Sequence, residues 1–179
     1  MELSPTSEKF VLHWGEMGAR WGVNRTQGQI HALLYLADQP MAAEEIAETL
    51  GVARSNVSTS LKELQNWGLV KIVHRMGDRR DLFVAIQDRW EILRLVTEGR
   101  KKREIDPTLG VMRECVRDVE KETSPGVAKA RMQGMLEFLE TLTKAYDQLR
   151  SVPPEVLLQL TRMAAQMQSA KPSKKSASD

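Results

Sequence analysis

Apolar positions recur at steps of three and four along most of the chain, which predicts helices. Phe10, Val11, Trp14, Met17, Gly18 and Trp21 mark a first helix from about Ser7 to Trp21. Ile30, Leu33, Leu34 and Ala37 mark a second, with Asn24 or Thr26 as its N-cap and Gln39-Pro40 as its stop. Two short helices are predicted next, roughly Ala42 to Leu50 and Arg54 to Trp67, joined by Gly51-Val52-Ala53. After Gly68 the pattern changes. Leu69 to His74 and Leu82 to Ile86 are rich in β-branched residues and flank a polar stretch, Arg75 to Asp81, that contains Gly-Asp. This predicts a β-hairpin with a basic tip. From Asp88 onward the helical period returns, with interruptions expected at Pro107 and around Ser124-Pro125-Gly126. Leu109, Met112, Val116 and Val119 form one stripe; Met132, Met135, Leu139, Leu142, Tyr146 and Leu149 form another, of about three heptads. Pro153-Pro154 breaks this rod, and Val156, Leu160, Met163 and Met167 mark a last amphipathic helix. The polar tail after Ser169 is expected to be disordered.

Composition narrows the possibilities. With 179 residues, 41% hydrophobic and 28% charged, the chain can bury a core without disulfide or metal staples. Its start is acidic and polar, unlike a secretory signal, and charges break every apolar run below membrane-spanning length. A lone cysteine, Cys115, fits a reducing cytoplasm. His13, His31 and His74 lack partners at ligand spacing, so no metal site is expected. There is no nucleophile elbow, phosphate loop or dinucleotide fingerprint, so neither catalytic residues nor a cofactor are expected, and the chain does not read as an enzyme. The net charge is only +2, so a role on nucleic acid needs local clustering of charge.

Such clustering occurs between Ala43 and Arg80. Ala47, Gly51 and Val57 suit three duties of a helix-turn-helix: a small residue at the crossing, a glycine at the turn and a branched residue packing the second helix on the first. Ile46, Leu50, Val52, Leu61 and Leu64 supply further buried positions. Turning Val57, Leu61 and Leu64 inward points Ser55, Thr59, Lys62 and Asn66 outward, with Asn56 and Ser58 beside them. Serine, threonine and asparagine are mediocre helix formers, so groups that reach base edges or phosphates explain their concentration better than propensity does. An ordinary solvated face with a capping cluster is the alternative. The following hairpin makes this a winged helix. From Gly51 to Asp81 six basic residues (Arg54, Lys62, Lys71, Arg75, Arg79, Arg80) face three acids, while the preceding helix carries Glu44, Glu45 and Glu48. Positive charge is therefore expected on one side, with wing arginines suited to a narrow minor groove and Asp78 bracing one of them. Arg54, Ser55, Asn56, Ser58, Thr59 and Lys62 are the candidate reading residues of the helix; Arg75, Arg79 and Arg80 are those of the wing.

The run EEIAETLGVARSNVSTSLKELQNWGLV with the wing HRMGDRRDLF resembles the MarR-type winged-helix transcriptional regulators. The flanking segments WGEMGARWGVNRTQGQIHALLYL and EGRKKREIDPTL resemble the GbsR-like branch most. The resemblance covers roughly Phe10 to Leu109. It implies a homodimer on a near-palindromic operator in double-stranded DNA, usually acting as a repressor. Some members of that branch govern choline and glycine betaine uptake or synthesis, which implies a quaternary ammonium osmolyte as one class of effector.

The expected fold is mainly α: a winged helix-turn-helix domain over 1–87, a helical dimerisation and effector region over 88–168, and a tail over 169–179. Met132, Met135, Leu139, Leu142, Tyr146 and Leu149 are the expected dimer seam, unless the stripe packs only within one chain. Trp14, Trp21, Trp67 and Trp90 are candidates for an aromatic cage, or else core filling. Arg100 to Arg103 form a basic joint, and Cys115 lies on an apolar helix. The competing function is a protein-interaction or architectural DNA-binding module without an effector.

Overall fold

The computed structural model describes residues 2–122 and 126–169. Helix α1 (Pro5–Arg20) starts at Ser4, whose hydroxyl accepts the Ser7 N–H, and α2 (Arg25–Leu36) starts at Asn24. The Asn24 Oδ1 accepts the Thr26 N–H at 2.8 Å, which settles the choice of cap. Next come β1 (Met41–Ala42), α3 (Ala43–Leu50), α4 (Arg54–Asn66), β2 (Val70–Val73) and β3 (Leu82–Ala85). The strands form an antiparallel sheet in the order β1-β3-β2, with Met41 opposite Phe83 and Ile72 opposite Phe83 on the other edge. The two-residue β1 was not expected, since two residues are too few to show an alternating pattern. Helix α5 (Arg89–Arg100) is capped by Asp88, whose Oδ1 accepts the Trp90 N–H at 2.8 Å.

Helix α2 is the centre of the core. Ile30, Leu33 and Leu34 are fully buried, and α1, α3, α4 and β3 all pack around them. Val11 comes from α1, Ile46 from α3, Val57, Leu61 and Leu64 from α4, and Leu69, Val70 and Phe83 from the hairpin. Where α1 crosses α2 the backbones touch: a β-carbon on Gly28 would stand 3.0 Å from the Gly15 Cα and 3.2 Å from the Trp14 carbonyl oxygen. Only glycine permits that approach.

The chain forms two compact units, the first ending at Arg100 and the second beginning at Lys101. The boundary expected after residue 87 falls within the first unit. Its reason is hydrophobic: Ile92, Leu95 and Val96 of α5 pack on the winged-helix core.

The second unit holds a π-helical turn (Lys101–Ile105), α6 (Asp106–Val119), α7 (Gly126–Leu149) and α8 (Pro154–Ser169). Pro107 stands two residues after the π turn that interrupts the α-helical pattern, near where the interruption was expected. It lies in the first turn of α6, where its missing N–H has no intrahelical acceptor to lose. Helices α6 and α7 pack together, and Arg113 Nη2 pairs with Glu140 Oε1 at 2.8 Å. Ser124, Pro125 and the tail from 170 lie outside the described residues. Among the described residues no helix is long and apolar enough to cross a membrane, and no cluster of three potential ligands could hold a metal ion.

Candidate nucleic-acid interface

The turn between α3 and α4 needs a left-handed residue, and Gly51 supplies it at φ 63°. The Val52 N–H then bonds back to the Ala47 carbonyl at 3.1 Å, which closes α3 and launches α4 across it. Val57, Ser60, Leu61 and Leu64 are buried on one face of α4. Ser55, Asn56, Ser58, Thr59, Lys62 and Asn66 are all exposed, as the three-four spacing requires. The amino end of α4 carries neither a side-chain cap nor an acid in its first turn, so its free N–H groups and positive dipole end face outward.

The arginines divide into held and free. Arg54 Nε donates to Glu44 Oε1 at 2.8 Å, and its Nη1 donates to Ser58 Oγ. Arg75 Nη2 reaches Gln39 Oε1 at 3.3 Å. Arg80 forks onto Asp78, at 3.0 Å from Nε to Oδ1 and 2.7 Å from Nη2 to Oδ2, and its Nη1 donates to Glu45 Oε1 at 2.9 Å. The Arg80 side chain and its backbone N–H hold the Asp78 carboxyl down to about 2. Arg54 likewise pulls Glu44 below the usual carboxylate range. Arg79 is exposed, with no side-chain partner among the described residues. Thus Asp78 braces Arg80 and leaves Arg79 open. The expected segregation of charge is corrected: Glu44 and Glu45 project from the first turn of α3 into the basic face and neutralise two of its arginines.

Three of the four tryptophans converge. Trp14, Trp21 and Trp67 line a cavity of about 110 Å³ with Met17, His31 and Arg100. Trp67 packs against α5, where a β-carbon at Gly99 would come within 2.7 Å of its ring. Trp90 is elsewhere, because its place in the first turn of α5 puts it off the face that meets Trp67. Sequence reasoning weighed His31 only as a metal ligand. It lies on α2 among fully buried leucines and isoleucine, and its Nε2 is buried without a hydrogen-bond partner among the described residues. Burial holds its pKa down to about 4, so the ring is neutral. A histidine within an otherwise apolar helical run was the available signal.

The α7 stripe splits in two. Met132, Leu139 and Tyr146 are half-buried, whereas Met135, Leu142 and Leu149 are exposed, and Phe138 joins them at 56%. On α6, Cys115 is half-buried.

Residues 21–81, which span α2 to the wing, match the MarR family. Over this segment, about a third of its length, the chain is similar to that family. It resembles the HTH-type transcriptional repressor GbsR of Bacillus subtilis (strain 168), with 24% identity over 141 residues, 76% of this chain and 77% of the relative. The HTH-type transcriptional repressor OpcR of the same organism is 25% identical over 71 residues, 40% of this chain and 38% of the relative. A solved structure described as a transcriptional regulator shares the fold, with a TM-score of 0.64 at 18% identity over 82% of this chain and 96% of that one. MarR-family members are transcriptional regulators and not enzymes.

Two outcomes follow from this geometry. Arg79→Ala should weaken DNA binding and reduce its salt slope by about one counterion, whereas Arg80→Ala, whose charge is already matched, should alter the slope less. Fluorescence anisotropy across a salt series measures both, and an unchanged slope in Arg79→Ala takes the wing off the DNA. The second concerns His31, which is depressed from 6.5 to about 4 in the folded chain. Between those values the unfolded state binds more protons, so stability should be flat above neutrality and fall by up to about 3 kcal/mol as the pH drops through that window. Urea unfolding at several pH values should show this fall in wild type and its loss in His31→Gln; parallel curves contradict it.

Proposed function

We propose that this chain is a cytoplasmic, homodimeric repressor that reads a near-palindromic operator and responds to a small-molecule effector. The observation that carries the reading is the exposed polar stripe of α4, Ser55, Asn56, Ser58, Thr59 and Lys62, set beside a free Arg79 on the wing. Hydroxyls and amides at the start of a recognition helix reach base edges in the major groove, while the wing arginine supplies charge at the minor groove. The names of the relatives, both repressors, favour repression.

A second copy of the chain best accounts for the exposed apolar residues Met135, Phe138, Leu142 and Leu149 of α7. Two tethered reading heads multiply affinity for a two-fold site. The effector reading rests on the aromatic cavity. Three tryptophan faces suit a quaternary ammonium head, at about 0.5–2 kcal/mol per ring. Neutral His31 adds no repulsion to the cation, and Arg100, which also lines the cavity, complements a carboxylate end. Trp67 follows directly on α4, so a ligand there would bear on the carboxyl end of the reading helix.

Selection from a random duplex library should return a two-fold sequence occupied by two protomers, as read by sedimentation. On that duplex Asn56→Ala or Thr59→Ala should cost about 1–3 kcal/mol more than on random DNA. Leu142→Glu should leave a monomer with weakened binding. A wild type without sequence preference would favour the architectural alternative; a Leu142→Glu dimer that binds normally would remove α7 from the seam. For the effector, a trimethylammonium carboxylate should quench tryptophan fluorescence, and Trp67→Ala should weaken its binding at least about fivefold if one full ring contact of over 1 kcal/mol is lost. Equal affinity in wild type and Trp67→Ala places any ligand elsewhere.

A further inference from the structure

Glu44 and Glu45 occupy the first turn of α3, between the start of α4 and the tip of the wing, and the reading above gives them no part. Acids at a DNA-binding face repel phosphate, so their presence there needs a reason. We propose that they are positioning residues: Glu44 orients Arg54, Glu45 anchors Arg80, and together they fix the spacing between recognition helix and wing. The proposal rests on the DNA-binding reading of α4 and the wing.

The geometry is specific. Arg54 is a planar fork with five donors. Glu44 Oε1 takes its Nε at 2.8 Å and Ser58 Oγ takes Nη1, so the Nε edge is turned to α3 and Nη2 keeps both its protons for another acceptor. A fork held in this way meets DNA in one orientation; a loose one follows any phosphate. Glu45 divides its oxygens. Its Oε2 accepts the Ala42 N–H at 3.3 Å, closing the first turn of α3, and its Oε1 accepts Arg80 Nη1 at 2.9 Å. Since the other Arg80 donors lie on Asp78, the guanidinium bridges the wing tip to α3. The first turn of α4 and the wing are thus both referenced to one turn of α3. The acids also weaken attraction to phosphates at large, while an operator that offers the right acceptor to Arg54 still gains its contact. Discrimination rises while total affinity falls.

The test is a double-mutant cycle in the full chain with Glu44→Ala, Arg54→Ala and the pair, each titrated against the selected duplex and a random one. Glu44→Ala should bind random duplex several-fold more tightly and lower the ratio of selected to random affinity several-fold. In the Arg54→Ala background it should lower that ratio no further. Glu44→Gln, whose amide oxygen still accepts from Nε, should keep most of the ratio while raising random binding. Thermal unfolding confirms that the exposed pair was removed from a folded protein. An unchanged ratio in Glu44→Ala, or additive losses in the pair, overturns the positioning role. If wild type selects no sequence, the operator reading fails on its own; the same cycle is then read on random-duplex affinity, where coupling supports the positioning and additivity ends it.

Discussion

Burial of Val57, Leu61 and Leu64 against α2 and α3 is the constraint on which the rest of the molecule depends. A helix cannot turn those three side chains into a core without turning Ser55, Asn56, Thr59 and Lys62 to water. The left-handed Gly51 sets where α4 begins, and Ala53 leaves its amino end uncapped. The same helix is therefore a core element on one face and an exposed polar stripe on the other. Changes to its buried face would alter the reading face without touching it.

Charge is organised around that helix with unusual economy for a chain of net charge +2. Among the described residues Lys62 on α4 and Arg79 on the wing have no side-chain partner, whereas Arg54, Arg75 and Arg80 are hydrogen-bonded to other side chains. Exposed ion pairs of this kind add little to stability, in general about 0–1 kcal/mol each. Their value lies in geometry, since a guanidinium on two acceptors has one direction in which to meet a third.

The aromatic cavity forms where α1, α2 and α5 meet the carboxyl end of α4. Close contact at Gly28 and at Gly99 draws the helices together, yet the bulky Trp14, Trp21 and Trp67 keep them from closing completely. His31 adds a polar atom that the protein itself leaves unmatched. His31 and the three tryptophans line one cavity of the first unit, and Trp67 is the residue that ends α4.

Periodicity by itself determined the helices, the hairpin and the outward stripe of α4, because each depends on local spacing that a solvent boundary makes visible. It also located the turn at Gly51, where a backbone requirement is written in one residue. It did not show β1, which exists only because β3 offers it an edge, nor the end of the first unit at Arg100, which depends on α5 finding the core. The tryptophans were visible as a group of four, but their distances are set by helix crossings, so only folding separated Trp90 from the rest. The acids of α3 read as a negative side apart from the basic cluster; their hold on Arg54 and Arg80 spans ten and thirty-five residues of sequence. Spacing along a helix survives in the sequence, whereas partnership between elements is decided by how they pack.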